Sequence, residues 1–311
     1  MSVQRIGVQY VEIDAQRAGQ RLDNFLAVFL KGVPKSVIYR ILRTGQVRVN
    51  KGRAKPGYKL ETGDLVRIPP LEIASPQAIN ERDAELAGKS LMKAILYEDD
   101  GLLVLNKPSG MAVHGGSGLR YGLIEALRAY DSRFRKVELV HRLDRGTSGC
   151  LLLAKQLKVL RELHNELRLH RVEKTYMALL HGKLSRETVT IDDALDRNRL
   201  RGGERVVALS ETGKTAVTHI QRDRLFQNAT LAKVLIDTGR THQIRVHCAG
   251  IKHAVAGDDK YGDRNFNKAM RSIGLQRMFL HAQRIQFRLD QKFDITAPLP
   301  ADLEQLLTKL R

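Results

Sequence analysis

Apolar residues in the first 70 positions recur first at helical and then at strand spacing. A first helix is predicted from Leu22, Phe25, Leu26, Phe29 and Leu30. A second is predicted from Val37, Ile38, Ile41 and Leu42, with Ser36 as its N-cap and Gly45 at its end. Alternating residues at 47–49 and 65–68 predict short strands. Together these elements predict a small module of two helices and a sheet.

The pattern changes after residue 70. Residues 71–90 mix charges with prolines and have no clean period, which is typical of a linker, with a short helix predicted at 80–86. Beyond the linker, short β-rich runs alternate with helical stretches. The strands are predicted at 102–105, 137–140, 151–153, 177–180 and 231–236, and the helices at 122–130, 157–169 and 301–310. This alternation predicts a second domain of the α/β or α+β class.

The net charge of the chain indicates which kind of molecule it binds. The chain has 311 residues, with 53 Lys and Arg against 34 Asp and Glu, a net charge of +19. Such an excess attracts a polyanion, most often nucleic acid and less often an anionic membrane. Hydrophobic residues make up 42% of the chain, which excludes a wholly disordered protein.

The basic residues are concentrated in the first module. Residues 31–59 contain no Asp or Glu, and Arg40 and Arg43 fall on the face of the second helix opposite its apolar stripe. A solvated surface usually mixes signs, so this segment predicts a nucleic-acid-binding surface. Its predicted contacts are Lys35, Arg40, Arg43, Arg48, Lys51, Arg53 and Lys55.

Cysteine content and the absence of long apolar runs indicate the compartment. Cys150 and Cys248 are the only cysteines, too few for a disulfide framework, so a reducing compartment is expected. The first residues lack the apolar stretch of a signal peptide, and no run reaches the length of a membrane span. We therefore expect a cytoplasmic protein without a membrane partner, and nothing in the pattern requires more than a monomer.

A polar cluster at 141–149, HRLDRGTSG, interrupts the apolar pattern between two predicted strands. Asp144 lies between two arginines, and neighbouring positive charge favours an ionised carboxylate. Two glycines permit the sharp backbone geometry that a ligand needs for close approach. The cluster predicts either a chemical site or an ordinary loop salt bridge.

Two further clusters carry candidate chemistry. In GRTHQIRVH at 239–247, Thr241 is the predicted N-cap of a helix that ends at Gly250, with Arg245 one turn inside. A helix start beside an arginine can bind a carboxylate or phosphate, although an ordinary capped helix with a solvent-facing arginine fits equally. Tyr176 begins a predicted strand, where a tyrosine is more often core than catalytic.

The sequence contains no complete cofactor or metal motif. GKT at 213–215 lacks the first glycine of a P-loop, because Ala208 stands there. The histidines and cysteine between 242 and 248 match no zinc spacing, and Cys150 has no histidine beside it to activate a thiol. The sequence therefore predicts chemistry by side chains alone, with no cofactor and no metal.

The motifs resemble two known families. The first module is similar to the S4 RNA-binding domain, from QRLD at 20–23 through VRVN at 47–50 to Gly63 and Asp64. From Gln20 to the C-terminus the ordered blocks resemble the RluA family of pseudouridine synthases. These blocks are HRLDRGTSG, KPSGMAVHG at 107–115, KTYMAL at 174–179, GRTHQIRVH, FLHA at 279–282 and APLPADLEQLL at 297–307.

This resemblance implies an α+β fold in which an S4 domain precedes a catalytic domain with a mixed, mainly antiparallel sheet flanked by helices. The implied boundaries are an N-terminal extension at 1–18, the S4 domain at 19–70, the linker at 71–90 and the catalytic domain at 91–311. It also implies isomerisation of uridine in large-subunit ribosomal RNA, without a cofactor. The alternatives are a non-catalytic RNA-binding assembly factor and a metal-dependent nuclease, which the lack of a ligand cluster disfavours.

The resemblance also implies roles for individual residues. Asp144 would be the essential carboxylate, acting as a nucleophile or as a base towards the ribose, and Arg245 would pair with it. Tyr176 would stack on the uracil and assist proton removal at C5. Arg142 would fill the place of the flipped base, since its flat guanidinium can stack. The expected pocket residues around them are Leu143, His114 and Lys107. Gly146 departs from the family pattern, which commonly has Asp there.

Overall fold

The computed structural model describes residues 3–15, 17–30, 33, 35–74, 81–115, 121–201 and 204–310. These residues form two compact units. The first comprises residues 1–83 with 115–121, and the second comprises residues 84–114 with 122–311. Both units contain helices and strands, as the α+β prediction requires.

The first unit combines two helices with short antiparallel strands. In chain order the elements are β1 (Val3–Ile6), β2 (Gln9–Glu12), α1 (Leu22–Phe29), α2 (Lys35–Arg43), β3 (Arg48–Val49), β4 (Gly52–Arg53), β5 (Leu65–Ile68) and β6 (Leu71–Ala74). Strands pair in the order β2-β5-β3-β4, and β1 pairs separately with β6. Of the apolar residues that predicted the helices, Phe29 is exposed, and the others pack with the strands in one core.

Two local predictions for this unit need correction. Because α2 begins at Lys35, Ser36 lies in its first turn and is not the N-cap. Gly45 does end the helix, with φ of +68°, while the Gln46 amide donates to the carbonyl of Ile41. The segment predicted as an N-terminal extension, 1–18, contributes β1 and β2, so the sheet extends beyond the predicted 19–70 module.

The predicted linker also contains regular structure. Strand β6 occupies its start, and helix α3 (Glu81–Met92) extends beyond the short helix predicted at 80–86. The helix is longer because Ala84 and Leu91, two turns apart, are both buried. Residues 75–80, between these elements, lie outside the described residues.

The second unit is built on one large sheet. Its strands are β7 (Ile95–Glu98), β8 (Leu102–Lys107), β9 (Glu138–Leu139), β10 (Ser148–Ala154), β11 (Glu173–His181), β12 (Thr188–Asp192), β13 (Leu195–Arg201), β14 (Glu204–Leu209), β15 (Val217–Leu225), β16 (Ala229–Ile236), β17 (Leu280–Arg288) and β18 (Lys292–Thr296). Its helices are α4 (Leu123–Tyr130), α5 (Leu157–Arg168), α6 (Gln243–Gly250), α7 (Arg264–Ser272) and α8 (Ala301–Lys309), with a 3₁₀ turn at Ser132–Phe134.

The sheet is mixed and mainly antiparallel, as expected. Ten strands of the described residues take the order β12-β15-β16-β11-β17-β10-β8-β7, with β18 beside β17 and β9 beside β10. The one parallel pair in this sheet, within the described residues, joins β10 to β17, and β13 and β14 form a separate hairpin. The start of β10, the middle of β11 and the start of β17 therefore lie side by side.

Helices cover this sheet through their apolar stripes. Leu163 of α5 packs with alternate residues of β8, β10 and β17, among them Val104, Leu152 and Ile285. Helices α7 and α8 pack on β11 and β16 in a second cluster. All residues of β10 are buried, which is the pattern of a strand covered on both faces. Within the described segments, no helix combines the length and apolar character needed to cross a lipid bilayer.

Candidate active site

Asp144 lies on a tight loop between β9 and β10. The Thr147 amide donates to the Asp144 carbonyl at 3.1 Å, which closes a turn behind the carboxylate. Gly149 has φ of +109°, and a Cβ on it would lie 2.2 Å from the carbonyl oxygen of Ala282 on β17. Only glycine permits this close approach of backbones, so Gly149 brings β17 directly beneath the loop.

The loop is held from the other side by the turn that follows β8. The Gly110 amide donates to the carbonyl of Arg145 at 2.8 Å, and the Arg145 Nε donates to the carbonyl of Gly110 at 2.8 Å. The Ser109 hydroxyl donates to the carbonyl of Gly146 at 2.8 Å. These hydrogen bonds join the KPSG and HRLDRG segments, which are separate in sequence.

The Lys107 side chain lies between these two segments rather than on the pocket rim, where it was predicted. Its side chain is fully buried, and Nζ donates to the carbonyls of Pro108, Met111 and Arg145 at 2.9, 2.7 and 3.3 Å. Burial lowers the pKa of the Lys107 ammonium to about 7, against the opposing charge of Asp144. The prediction was wrong because a lysine at a strand end is usually exposed, whereas here three carbonyls surround it.

Helix α6 places Arg245 on Asp144, as predicted. Arg245 Nη1 donates to Asp144 Oδ2 at 3.2 Å, and its Nε and Nη2 donate to Asp258 at 2.7 and 2.9 Å. The side chains are nearly buried, at 12%, 18% and 1% exposed for Arg245, Asp144 and Asp258. The alternative of a solvent-facing arginine on an ordinary helix is therefore excluded.

The electrostatics of this triad favour full ionisation of Arg245 and Asp258. Burial alone would lower the pKa of Arg245, but the two carboxylates outweigh burial and raise it. Burial would likewise raise the pKa of Asp258, but the Arg245 guanidinium and the amides of Lys260 and Tyr261 lower it overall. One guanidinium thus joins two carboxylates.

Helix α6 does not begin as predicted. Its N-cap is His242, in the left-handed conformation with φ of +55°, and no side chain caps it. The side chain of Gln243 instead ties the start of the helix to the preceding loop, because its Oε1 accepts from the Arg240 amide and the Thr238 hydroxyl at 3.0 and 2.8 Å. A left-handed non-glycine residue costs about 1–2 kcal/mol, and such strain concentrates at functional sites.

His242 is held by a second residue that the sequence analysis missed. Its Nδ1 lies 2.8 Å from the hydroxyl of Tyr261, and the Val207 amide donates to the same hydroxyl at 3.1 Å. Its Nε2 lies 3.9 Å from Asp144 Oδ1. Burial lowers the pKa of His242 most strongly, against the charge of Asp144, so the ring is neutral at pH 7.

Tyr176 is both buried and part of the site. It lies on β11 at an irregularity in the pairing with β17, which shifts the register between Thr175 and Tyr176. The side chain is 6% exposed and lines the same pocket as Asp144. Burial and the Asp144 charge raise the pKa of its phenol well above the usual value, so the hydroxyl keeps its proton.

These residues surround a small pocket of about 70 Å³. Asp144, Arg245, Tyr176 and His242 line it, together with Arg142, Leu143, Thr147, Ile236, Gly239, Arg240, Thr241, Gln243, Ile244 and Leu280. Arg142 also lines a wider neighbouring cleft of about 790 Å³, with Lys214 and Arg240. The pocket therefore adjoins an open surface that carries basic side chains.

Some predicted neighbours of Asp144 face elsewhere. The ring of His141 turns inward, where Nε2 accepts from the Leu152 amide at 3.1 Å and burial lowers its pKa to about 4. Arg145 bonds to the turn after β8, and His114 is exposed and does not line the pocket. The charge partner of Asp144 is thus Arg245, which is distant in sequence and adjacent in space.

Three site residues escaped the sequence analysis in their roles: Asp258, His242 and Tyr261. Asp258 and Tyr261 stand in a polar loop with no periodic or motif signal of their own. His242 was considered only as a zinc ligand. In the described segments, no group of three or more His, Cys, Asp or Glu side chains is arranged to hold a metal ion.

The first unit exposes the basic residues predicted to contact nucleic acid. Arg40, Arg43, Arg48, Lys51, Arg53 and Lys55 are all exposed, while the side chain of Lys35 lies outside the description. The sheet adds two residues that were not predicted. Register places Tyr10 opposite Arg67, Arg67 opposite Arg48, and Arg48 opposite Arg53, so the four share the outer face of the sheet. We call this set the arginine row.

Comparisons with known proteins give relatives that match nearly the whole chain. A protein of Haemophilus influenzae, "Ribosomal large subunit pseudouridine synthase C", is 50% identical over 98% of this chain and 95% of its own length. The chain belongs to the RNA pseudouridylate synthase family. The family's "RNA pseudouridylate synthase" model matches residues 101–250, and the "S4 domain" model matches residues 20–66.

Other relatives and solved structures agree with this family. An Escherichia coli (strain K12) protein of the same name is 48% identical over 100% of this chain and 99% of its own. "Human RNA Pseudouridylate Synthase Domain Containing 1" superposes with a TM-score of 0.57 and 29% identity, over 67% of this chain and 83% of its own. "Human RNA Pseudouridylate Synthase Domain Containing 4" shares the fold, with a TM-score of 0.62 at 24% identity, over 74% and 98%.

Proposed function

We propose that this protein converts uridines of large-subunit ribosomal RNA to pseudouridine, with Asp144 as the essential carboxylate. The observation that carries the proposal is the Asp144–Arg245 pair in a pocket that Tyr176 also lines. The names of the full-length relatives support the choice of ribosomal RNA. The reaction is an isomerisation that neither gains nor loses atoms or electrons, so the proposal includes no cofactor.

The bond changes require a charged carboxylate beside the ribose. The C1′–N1 bond of uridine breaks, the uracil turns, and a C1′–C5 bond forms, with the C5 proton transferred to N1. Asp144 would act either as a nucleophile at C1′ or as a base towards the ribose, and both roles require the ionised form. Arg245 donates a hydrogen bond to this carboxylate, while its bond to Asp258 fixes the position of the guanidinium.

Tyr176 would hold the uracil. A buried aromatic ring at the pocket wall offers a stacking surface to a flat base, and its retained phenol proton offers a hydrogen bond. If Tyr176 assists removal of the C5 proton, its own proton must leave as that proton arrives. We therefore assign stacking on the uracil as the main role of Tyr176 and proton transfer as its secondary role.

Arg142 would take the place of the flipped base. Chemistry on a base within folded RNA requires its removal from the stack, at a cost of a few kcal/mol. Arg142 is exposed beside Asp144, and its side chain has no hydrogen-bonding partner within the described part of the chain. A flat guanidinium that no hydrogen bond holds in place can enter the vacated stack.

The S4 domain would hold the RNA through its exposed basic residues and the arginine row. The proposed setting is the cytoplasm, supported by Cys150 and Cys248, which are both free and buried. We also propose that a single copy is sufficient and that no membrane is involved.

The deciding experiment compares the wild-type protein with Asp144→Asn on large-subunit ribosomal RNA transcripts. The variant should keep its RNA affinity within about twofold and lose pseudouridine formation, mapped by chemical labelling. Arg168→Gln, a change on an exposed helix face, is a control that should leave both unchanged. Pseudouridine formation by Asp144→Asn would overturn the mechanism. Binding by the wild-type protein without any product would favour an assembly factor, and strand cleavage abolished by a chelator would favour a nuclease.

A further inference from the structure

The two oxygens of the Asp144 carboxylate have different surroundings. Oδ2 accepts a hydrogen bond from Arg245 at 3.2 Å. Oδ1 faces the Nε2 atom of His242 at 3.9 Å, which is too long for a direct hydrogen bond. Both residues border the pocket that receives the target nucleotide in the proposed function. Asp144 Oδ1 and His242 Nε2 therefore face the same open position in this pocket.

The contacts of His242 favour one of its two neutral tautomers. The Tyr261 hydroxyl accepts from the Val207 amide, so its own hydrogen is available for His242 Nδ1, 2.8 Å away. We assign Nδ1 as the acceptor, so that the neutral ring carries its proton on Nε2 and directs it towards Oδ1. The opposite tautomer would place a lone pair towards the negatively charged Oδ1. The chain of donors runs from Val207 through Tyr261 and His242 towards Asp144.

An oxygen about 2.8 Å from both Nε2 and Oδ1 would fit between them, since it can stand to the side of their 3.9 Å axis. Such an oxygen must accept from Nε2–H and donate to the carboxylate at the same time. A hydroxyl does both, whereas a carbonyl or phosphate oxygen can only accept. Among the oxygens of a nucleotide, only a ribose hydroxyl therefore fits the open position.

We infer that His242 and Asp144 together bind the ribose 2′-hydroxyl of the target uridine, so that His242 selects RNA over DNA at this nucleotide. The inference rests on the proposed function, because it places the ribose of that uridine beside Asp144. A carboxylate poised at C1′ or at C2′ has the 2′-oxygen next to it in either case. The strained backbone of His242 holds the ring at the position that this contact requires.

The test uses two synthetic RNAs that span one mapped target uridine, with either ribose or 2′-deoxyribose at that nucleotide alone. The half-saturating concentration of the ribose RNA comes from single-turnover kinetics, and the deoxy RNA is measured as its competitive inhibitor. Competition gives the affinity for the deoxy RNA whether or not that RNA reacts. The wild-type protein should bind the ribose form about tenfold more tightly, the value of one good hydrogen bond. His242→Phe should reduce this ratio to near one.

Two further variants separate recognition from structure. His242→Asn keeps a donor and tolerates the left-handed backbone, so it should retain part of the ratio. Tyr261→Phe leaves His242 in place but removes the hydroxyl that favours one tautomer of its ring. The ratio should then fall by a factor of about two to three, which is less than the effect of losing a whole hydrogen bond. A wild-type ratio near one, or an equal loss of affinity for both RNAs in His242→Phe, would overturn the inference. Failure of the wild-type protein to modify the ribose RNA would instead overturn the proposed function.

Discussion

Arg245 gives two hydrogen bonds to Asp258, at 2.7 and 2.9 Å, and one longer bond of 3.2 Å to Asp144. The buried Asp258 therefore fixes the guanidinium, and the more exposed Asp144 accepts only the single longer bond. This division of hydrogen bonds suits a reactive carboxylate. A bidentate pair at Asp144 would occupy both of its oxygens, whereas here Oδ1 faces the pocket.

Replacement of Asp258 should damage both folding and activity. Asp258→Asn leaves a buried guanidinium without its main partner, which costs about 3–5 kcal/mol when one member of a buried pair is removed. Pseudouridine formation should fall at least tenfold, because Arg245 loses its fixed position. Urea unfolding and a single-turnover assay measure the two effects. Asp144→Asn is the matched control: it should remove activity with little loss of stability, and equal destabilisation by both changes would contradict this division.

The elements of the fold could be predicted from sequence more completely than the site. Strand β5, the end of α6 and the buried run of β10 follow local pattern. The pairing of Asp144 with Arg245 came from family resemblance, because their hydrogen bond spans 101 residues of chain. Asp258 had no local signal, since a carboxylate in a polar loop usually faces solvent. Lys107 was misplaced for a similar reason, because its three carbonyl partners are arranged only by tertiary structure.

Gly149 should tolerate no side chain. In Gly149→Ala the added Cβ would meet the Ala282 carbonyl at 2.2 Å on a backbone with φ of +109°, so the parallel pair β10–β17 must separate. We expect a loss of about 3 kcal/mol or more in unfolding free energy, or no folded protein, by analogy with severe overpacking. Gly239→Ala is the control for stability, because nothing lies within 4 Å of its Cβ position. A melting temperature for Gly149→Ala equal to that of the control would refute the prediction.

Lys107 should give the protein a pH-dependent stability. Burial lowers the pKa of its ammonium from 10.5 to about 7, so between these values the unfolded chain binds more protons than the folded one. The free energy of unfolding should therefore rise from about pH 7 to about pH 10, by at most about 1.4 kcal/mol per pH unit from this group. Urea unfolding of the wild-type protein and Lys107→Met across this range isolates the effect. The methionine variant should lack this rise, and parallel profiles would show that Lys107 does not titrate in this range.

The arginine row should contribute to RNA binding in two physically different ways. Its strands are about 4.8 Å apart, so Tyr10, Arg67, Arg48 and Arg53 cross the sheet in about 14 Å and can follow an RNA backbone. Arg48→Ala with Arg67→Ala should lower RNA affinity and reduce the slope of log K against log salt by about 0.7–0.9 for each phosphate that the variant no longer neutralises. Arg40→Ala with Arg43→Ala should act similarly if α2 binds the same RNA.

Tyr10→Ala separates stacking from charge. Stacking of one base on an aromatic ring is worth about 1–3 kcal/mol, so affinity should fall about fivefold or more while the salt slope stays unchanged. Tyr10→Phe should retain nearly all of the affinity, because the ring and not the hydroxyl stacks. Lys158→Ala with Arg161→Ala, exposed on α5 of the other unit, controls for the general loss of positive charge. If this control pair lowers the salt slope as much as Arg48→Ala with Arg67→Ala, RNA attraction is spread over the surface and the arginine row does not bind RNA specifically.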